Sequence, residues 1–359
     1  MEISISIKPL VAPLTTVCAV VVFITLLLVS NADAQEPEPY LYDVTPLLAV
    51  SRDGRVAAIA GRRVPDSTAR LEFRYPIDFY DTESGALLNT YGSEDDAITG
   101  LSLTPDGTLL AYNTGFGDLR VIDVQSGSHV HIVSRGGSLE TGYPRWNADG
   151  TQLARFAGRG LQLFAIYPKS RLGSFYAEQG DIVGYDWSDD GSTIAVSMIQ
   201  PTSRQGSLAV LDVDETGQLT LRNRFDSPSS LVVEVNVDGS SIATSVTDGL
   251  LITHAEDGSQ QLLENPIAGM IQNSIAWNPL DSRIAVSTFE HIFIWDSASD
   301  DFLQTLEVEG AANDIFWSAD GCDLFHAGPQ GVYRNNVPIG WQPATTPTES
   351  PGGCADARQ

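Results

Sequence analysis

At 359 residues, 42% of them hydrophobic and 18% charged, the chain is long enough for one large or two ordinary domains and apolar enough to bury a core. A formal net charge of −26, with Lys169 the only lysine after residue 34, argues against binding to nucleic-acid phosphates or anionic bilayers. The 32 glycines and 19 prolines are spread along a sequence with no long amphipathic-helix period, which points to many short strands joined by tight turns.

At the N-terminus Lys8 supplies a weakly positive start. Val17 to Val29 is an apolar run broken only by Thr25, and Ala32-Asp33-Ala34 offers the small-x-small pattern of a cleavage site. Residues 1–34 therefore read as a signal peptide, with a mature start at Gln35. With Leu10 to Leu14 added, the same segment would serve as an uncleaved membrane anchor. The implied location is extracellular, periplasmic or envelope-bound. After residue 34 only Cys322 and Cys354 remain, an even pair in an oxidising compartment, and the expectation is a disulfide between them.

From Val50 onward one short core recurs seven times without gaps. It reads VSRDGRVAA (Val50–Ala58), LTPDGTLLA (Leu103–Ala111), WNADGTQLA (Trp146–Ala154), WSDDGSTIA (Trp187–Ala195), VNVDGSSIA (Val235–Ala243), WNPLDSRIA (Trp277–Ala285) and WSADGCDLF (Trp317–Phe325). A large apolar residue ends a strand, and a small polar residue then accepts a backbone hydrogen bond at the turn. Asp-Gly supplies the positive-φ residues of a tight hairpin. The closing Ala, Phe325 in the seventh copy, fits where only a small side chain packs between sheets. A third strand follows each core: Ile77–Asp81, Leu119–Asp123, Leu161–Ala165, Leu208–Asp212, Leu250–His254, Ile292–Asp296 and Val332–Asn336. Turns such as Ser84-Gly85, Ser126-Gly127, Thr216-Gly217 and Asp257-Gly258 lead into a fourth. Four strands per unit of about 43 residues is the spacing of propeller blades. The fold class is all-β, a seven-bladed β-propeller of four-stranded antiparallel blades over residues 35–341. Either Tyr40–Val44 adds a strand to the last blade or Val337–Trp341 completes it locally. Residues 342–359 form a Pro/Thr/Gly-rich tail expected to be unstructured.

These units resemble WD-repeat propellers, most clearly at Ile292–Asp296 (IFIWD), and the related TolB-type repeats at WSDDGSTIA and WSADG. The likeness runs from about Pro39 to Trp341. It lacks the Gly-His dipeptide before the first strand, and only the sixth blade ends in Trp-Asp. The resemblance implies a fold more than a function.

No nucleophile, zinc, phosphate-loop or dinucleotide motif appears. His129 and His131 are two apart on an expected outer strand, hence on one face, but no third ligand is nearby. Asp212-x-Asp214-x-x-Gly217 and the pairs Asp95-Asp96, Asp189-Asp190 and Asp300-Asp301 complete no calcium loop, and most read as hairpin turns. No cofactor is expected, with calcium the one candidate. Two long loops carry arginines on one rim: Gly61–Arg74, with Arg62, Arg63, Arg70 and Arg74, and Gln200–Gly206, with Arg204. Such a rim would hold a carboxylate, a sulfate or an acidic peptide through bidentate bonds, or else be a solvated insertion with local salt bridges. The four tryptophans of the first repeat column read as core. The chain reads as an exported, monomeric, non-catalytic scaffold that binds a protein or peptide. The alternative is a propeller enzyme (lactonase, lyase or quinoprotein-like) with its site at the central channel, which three or more Asp, Glu, His or Asn side chains converging there within metal-ligand distance would favour.

Overall fold

The computed structural model describes residues 47–69, 73–92, 96–135, 142–178, 180–203, 205–228, 230–247, 249–267, 273–308, 312, 314–328, 331–335 and 337–338. The expected signal segment, Tyr40–Val44 and the C-terminal tail lie outside them.

Each repeat core turns one strand into the next. The small polar residue accepts the amide five positions on, as in Val56 N to Ser51 Oγ (2.9 Å), Gln152 N to Asn147 Oδ1 (2.9 Å) and Thr193 N to Ser188 Oγ (3.0 Å). The aspartate accepts the amide two positions on, as in Thr151 N to Asp149 Oδ1 (2.8 Å) and Ser192 N to Asp190 Oδ1 (2.9 Å). These bonds hold the carboxyls of Asp106, Asp149, Asp190 and Asp238 below the usual aspartate range, although burial works against them. Only the glycine is left-handed, with φ of 71° at Gly54 and 74° at Gly191, while the aspartate keeps a negative φ. This corrects the expectation of two positive-φ residues. The loop is longer than a two-residue hairpin, with Gly54 N bonded to Ser51 O and Ser51 N to Val56 O, both at 2.8 Å, so one left-handed residue completes it. In the sixth copy Asp281 takes over one position late, accepting Arg283 N at 3.0 Å, and Leu280 points outward.

The described residues form seven four-stranded antiparallel sheets and one two-stranded sheet. The first blade comprises Leu47–Val50, Val56–Ala60, Ile77–Asp81 and Leu87–Tyr91. Its long loop folds as the small hairpin of Val64–Pro65 against Phe73–Arg74. The inner strands of the other blades are Ile98–Leu103, Arg145–Trp146, Asp181–Trp187, Val233–Val235, Ser274–Trp277 and Ile315–Trp317. The last blade is completed locally, Tyr333 facing Pro338 and Arg334 facing Val337. No helix among the described residues is long and apolar enough to cross a membrane.

A blade is apolar on both faces and cannot bury them alone, so the core lies between blades. Seven buried clusters each span two neighbouring blades. The cluster that joins the ends sets Leu48, Ala57 and Ile59 of the first blade against Phe325, Ala327 and Val332 of the seventh. Leu48 N adds a hydrogen bond to Asp314 Oδ2 at 3.0 Å. The ring is therefore closed. The alanines at 58, 111, 154, 195, 243 and 285 are fully buried in these seams. Trp146 and Trp317 donate their indole N–H to Ser102 O (3.0 Å) and Ala276 O (3.2 Å) of the preceding blade, as core tryptophans should.

Candidate functional site: the central channel

The seven inner strands line a channel with two chambers. The narrower, about 200 Å³, is walled by the first repeat column: Val50, Leu103, Trp146, Trp187, Val235, Trp277 and Trp317. Arg52 and Asp189, in the hairpins of the first and fourth blades, meet across this end, with Nη2 to Oδ2 at 3.0 Å and Nη1 to Asp189 O at 3.4 Å. The wider chamber, about 350 Å³, opens on the other rim, among the loops that join one blade to the next. Tyr143 and Leu231 stand at its mouth, 52% and 76% exposed.

Two glycines set these walls. Gly100 and Gly184 sit at bulges near the start of the second and fourth inner strands. A Cβ on Gly184 would lie 2.7 Å from Leu231 O, and one on Gly100 would lie 2.7 Å from the Tyr143 ring. Each inter-blade loop thus rests directly on strand backbone.

Where the chambers meet, charges converge. Arg145 Nε lies 3.6 Å from Asp186 Oδ1, and Asp186 Oδ2 accepts Val235 N at 2.8 Å. Glu234 is the next inner-strand carboxyl along, and the negative charge of Asp186 acts on it. Asp314 lines the wide chamber with Glu234. Burial pushes Asp186 up to about 6 against the pull of Arg145. Glu234 is raised well above its usual range by burial and then by Asp186, and Asp314 is raised by burial. Burial also opposes the charge of Arg145, but Asp186, Glu234 and Asp314 outweigh it and raise its pKa. Beside them Tyr185 donates its hydroxyl toward Tyr143 O (2.7 Å) and Ala154 O (2.8 Å), and burial raises its pKa. The result is a pocket with three carboxyls around one guanidinium.

Of the arginines singled out from the sequence, Arg62, Arg63 and Arg74 lie elsewhere. Arg62 makes a two-pronged pair with buried Asp78, Nε to Oδ2 at 3.2 Å and Nη2 to Oδ1 at 2.9 Å. Arg74 Nε bonds Asp66 Oδ2 at 2.9 Å, and Arg63 lies over the Phe73 ring at 5.2 Å. Hydrogen bonds from Thr68 and Arg74 hold the Asp66 carboxyl far below the usual range. Arg70, Arg204 and Cys354 lie outside the described residues. Cys322 is buried at the seventh hairpin, its Sγ 3.3 Å from Asp320 O.

His129 and His131 do lie on an outer strand but do not act together. A bulge between them breaks the two-residue period, so His129 Nε2 meets Tyr91 OH at 2.7 Å while His131 packs on Tyr167. Asp212 pairs with Arg222, Asp214 caps its turn through Thr216 N (2.8 Å), and Asp301 accepts Ser299 Oγ (2.9 Å). Among the described residues no three His, Cys, Asp or Glu side chains gather closely enough to hold a metal.

Sequence reasoning missed the channel charges, although a signal existed. Arg145, Asp186 and Glu234 each occupy the position just before the repeat core, where other copies carry Ala49, Ser102, Ala276 and Phe316.

No family model and no curated protein matches the chain. Among solved structures, a chain of the "Crystal Structure of Mitotic Checkpoint Complex" is similar with a TM-score of 0.62 at 16% identity, over 83% of this chain and 90% of that one. A chain of "Kuenenia stuttgartiensis Hydrazine Synthase" is similar with a TM-score of 0.65 at 14% identity, over 86% and 99%. At such identity the likeness concerns the fold alone, and seven four-stranded blades fit the WD40-type architecture that the repeats resemble.

Proposed function

We propose that this protein is an exported, non-catalytic scaffold that binds a protein or peptide segment at the wide mouth of its channel. The observation that carries the reading is the exposed apolar set on that rim. Leu231 and Tyr143 edge the pocket, and Phe116, Ile267 and Phe289 are exposed on loops of the same face. Exposed apolar side chains at the edge of a concave site, here Tyr143 and Leu231, are the kind of surface that a partner covers. Export rests on residues 17–34 of the sequence.

The test is affinity capture from an envelope extract with the purified protein, its Leu231→Ser/Tyr143→Ser variant, and a variant with residues 62–74 replaced by a short turn. The reading expects a partner recovered by the parent and the loop variant and lost with the mouth variant. Recovery that instead depends on residues 62–74, or on neither, defeats it. N-terminal sequencing of the exported protein should begin at Gln35.

A further inference from the structure

The wide mouth combines two features: an apolar edge and a floor of carboxyls. Tyr143 and Leu231 form the edge, and Glu234 and Asp314 lie below them in the same chamber. Its volume of about 350 Å³ far exceeds the ~10–15 Å³ that a single water occupies. The floor is unbalanced, because Asp186, Glu234 and Asp314 face Arg145 alone. Below them Arg52 and Asp189 neutralise each other across the narrow end.

We infer that the mouth docks a peptide segment in which a lysine or arginine, flanked by apolar residues, inserts its cationic end between Glu234 and Asp314. The inference rests on the proposed peptide-binding role and names the chemistry of the partner. Charge complementarity selects the occupant. A cation entering the chamber meets carboxyls, with which it makes charge-assisted hydrogen bonds, whereas an acidic side chain adds repulsion. Flanking apolar residues then cover Tyr143 and Leu231. Burial raises the Glu234 carboxyl above its usual range, a cation beside it favours the ionised form, and binding weakens as pH falls.

The test pans a random heptapeptide display library at pH 7.5 on the full chain, on Glu234→Gln/Asp314→Asn, which keeps the shape of the floor and removes its charge, and on Leu231→Ser. The wild type is expected to enrich sequences with one Lys or Arg between apolar residues. A fluorescein-labelled representative should bind about tenfold more weakly when its basic residue becomes norleucine, the difference that one charge-assisted bond makes. This peptide substitution reads the same contact on the wild type even if the floor variant does not fold. Enrichment of apolar or acidic sequences without a basic residue, or equal binding of the norleucine peptide, overturns the inference and leaves a mouth-binding scaffold standing. No enrichment, or enrichment that survives Leu231→Ser, overturns both.

Discussion

Replacing Arg145 with methionine removes the cation at the junction of the two chambers while keeping most of its volume. At pH 8 Asp186, 3.6 Å away, loses its partner, and Glu234 and Asp314 lose the charge that offsets their burial. Breaking a buried pair from one side costs about 3–5 kcal/mol, because an uncompensated charge is left behind. At roughly 2–4 °C per kcal/mol for a chain of this order, Tm should fall by about 6–20 °C. At pH 4.5, below the raised value of about 6 for Asp186, its carboxyl carries a proton and leaves no bare charge beside the methionine. The loss should then shrink to about 1.5 kcal/mol or less, the cost of a volume-conserving swap. Thermal unfolding followed by circular dichroism at the two pH values reads the difference. An equal loss at both, or a larger one in acid, would refute the claim that Arg145 acts by offsetting the channel carboxylates.

Three further outcomes follow from the same geometry. Asp186, raised in the fold, contributes stability while it holds its proton, and that contribution fades as pH rises from about 4 through 6; Asp186→Asn should flatten the fall of Tm over this window, and an unchanged slope would assign it to other groups. The hairpin aspartates are shifted the other way, so their contribution is lost only as pH drops below about 4. Ala243 is fully buried between blades, so Ala243→Leu should lower stability by about 1–3 kcal/mol in urea unfolding, and an unshifted midpoint would show slack in that seam. Ser188→Ala leaves Thr193 N without its acceptor in a buried hairpin and should cost about 1–3 kcal/mol by the same assay; no change would mean that Asp190 suffices to hold the turn.

The blades were legible because each carries its own copy of the same local chemistry. The cap from Ser188 to Thr193, the left-handed Gly191 and the buried Ala195 lie within nine residues of one another and answer to short-range rules. Strand edges followed: Ile77–Asp81 and Leu119–Asp123 are where the alternation places them. The site was not legible in the same way. Arg145, Asp186, Glu234 and Asp314 come from four blades, and only ring closure brings them together, so no local spacing announces them. The arginine-rich loop drew attention by composition, yet what Arg62 does is fixed by Asp78, a buried residue on the neighbouring strand.

Closure of the ring is the premise for everything said of the channel, and a cross-link between its ends tests it most directly. A Cβ on Gly54 in the first blade would lie 3.6 Å from Ser318 Cβ in the seventh, within the ~3.5–4.5 Å that a disulfide spans. The cysteine at left-handed position 54 strains its hairpin, but in double-cysteine protein (Gly54→Cys, Ser318→Cys) that folds, mild oxidation followed by peptide mapping under non-reducing conditions should recover the 54–318 linkage. Its absence from folded, oxidised protein would contradict a closed seven-bladed ring.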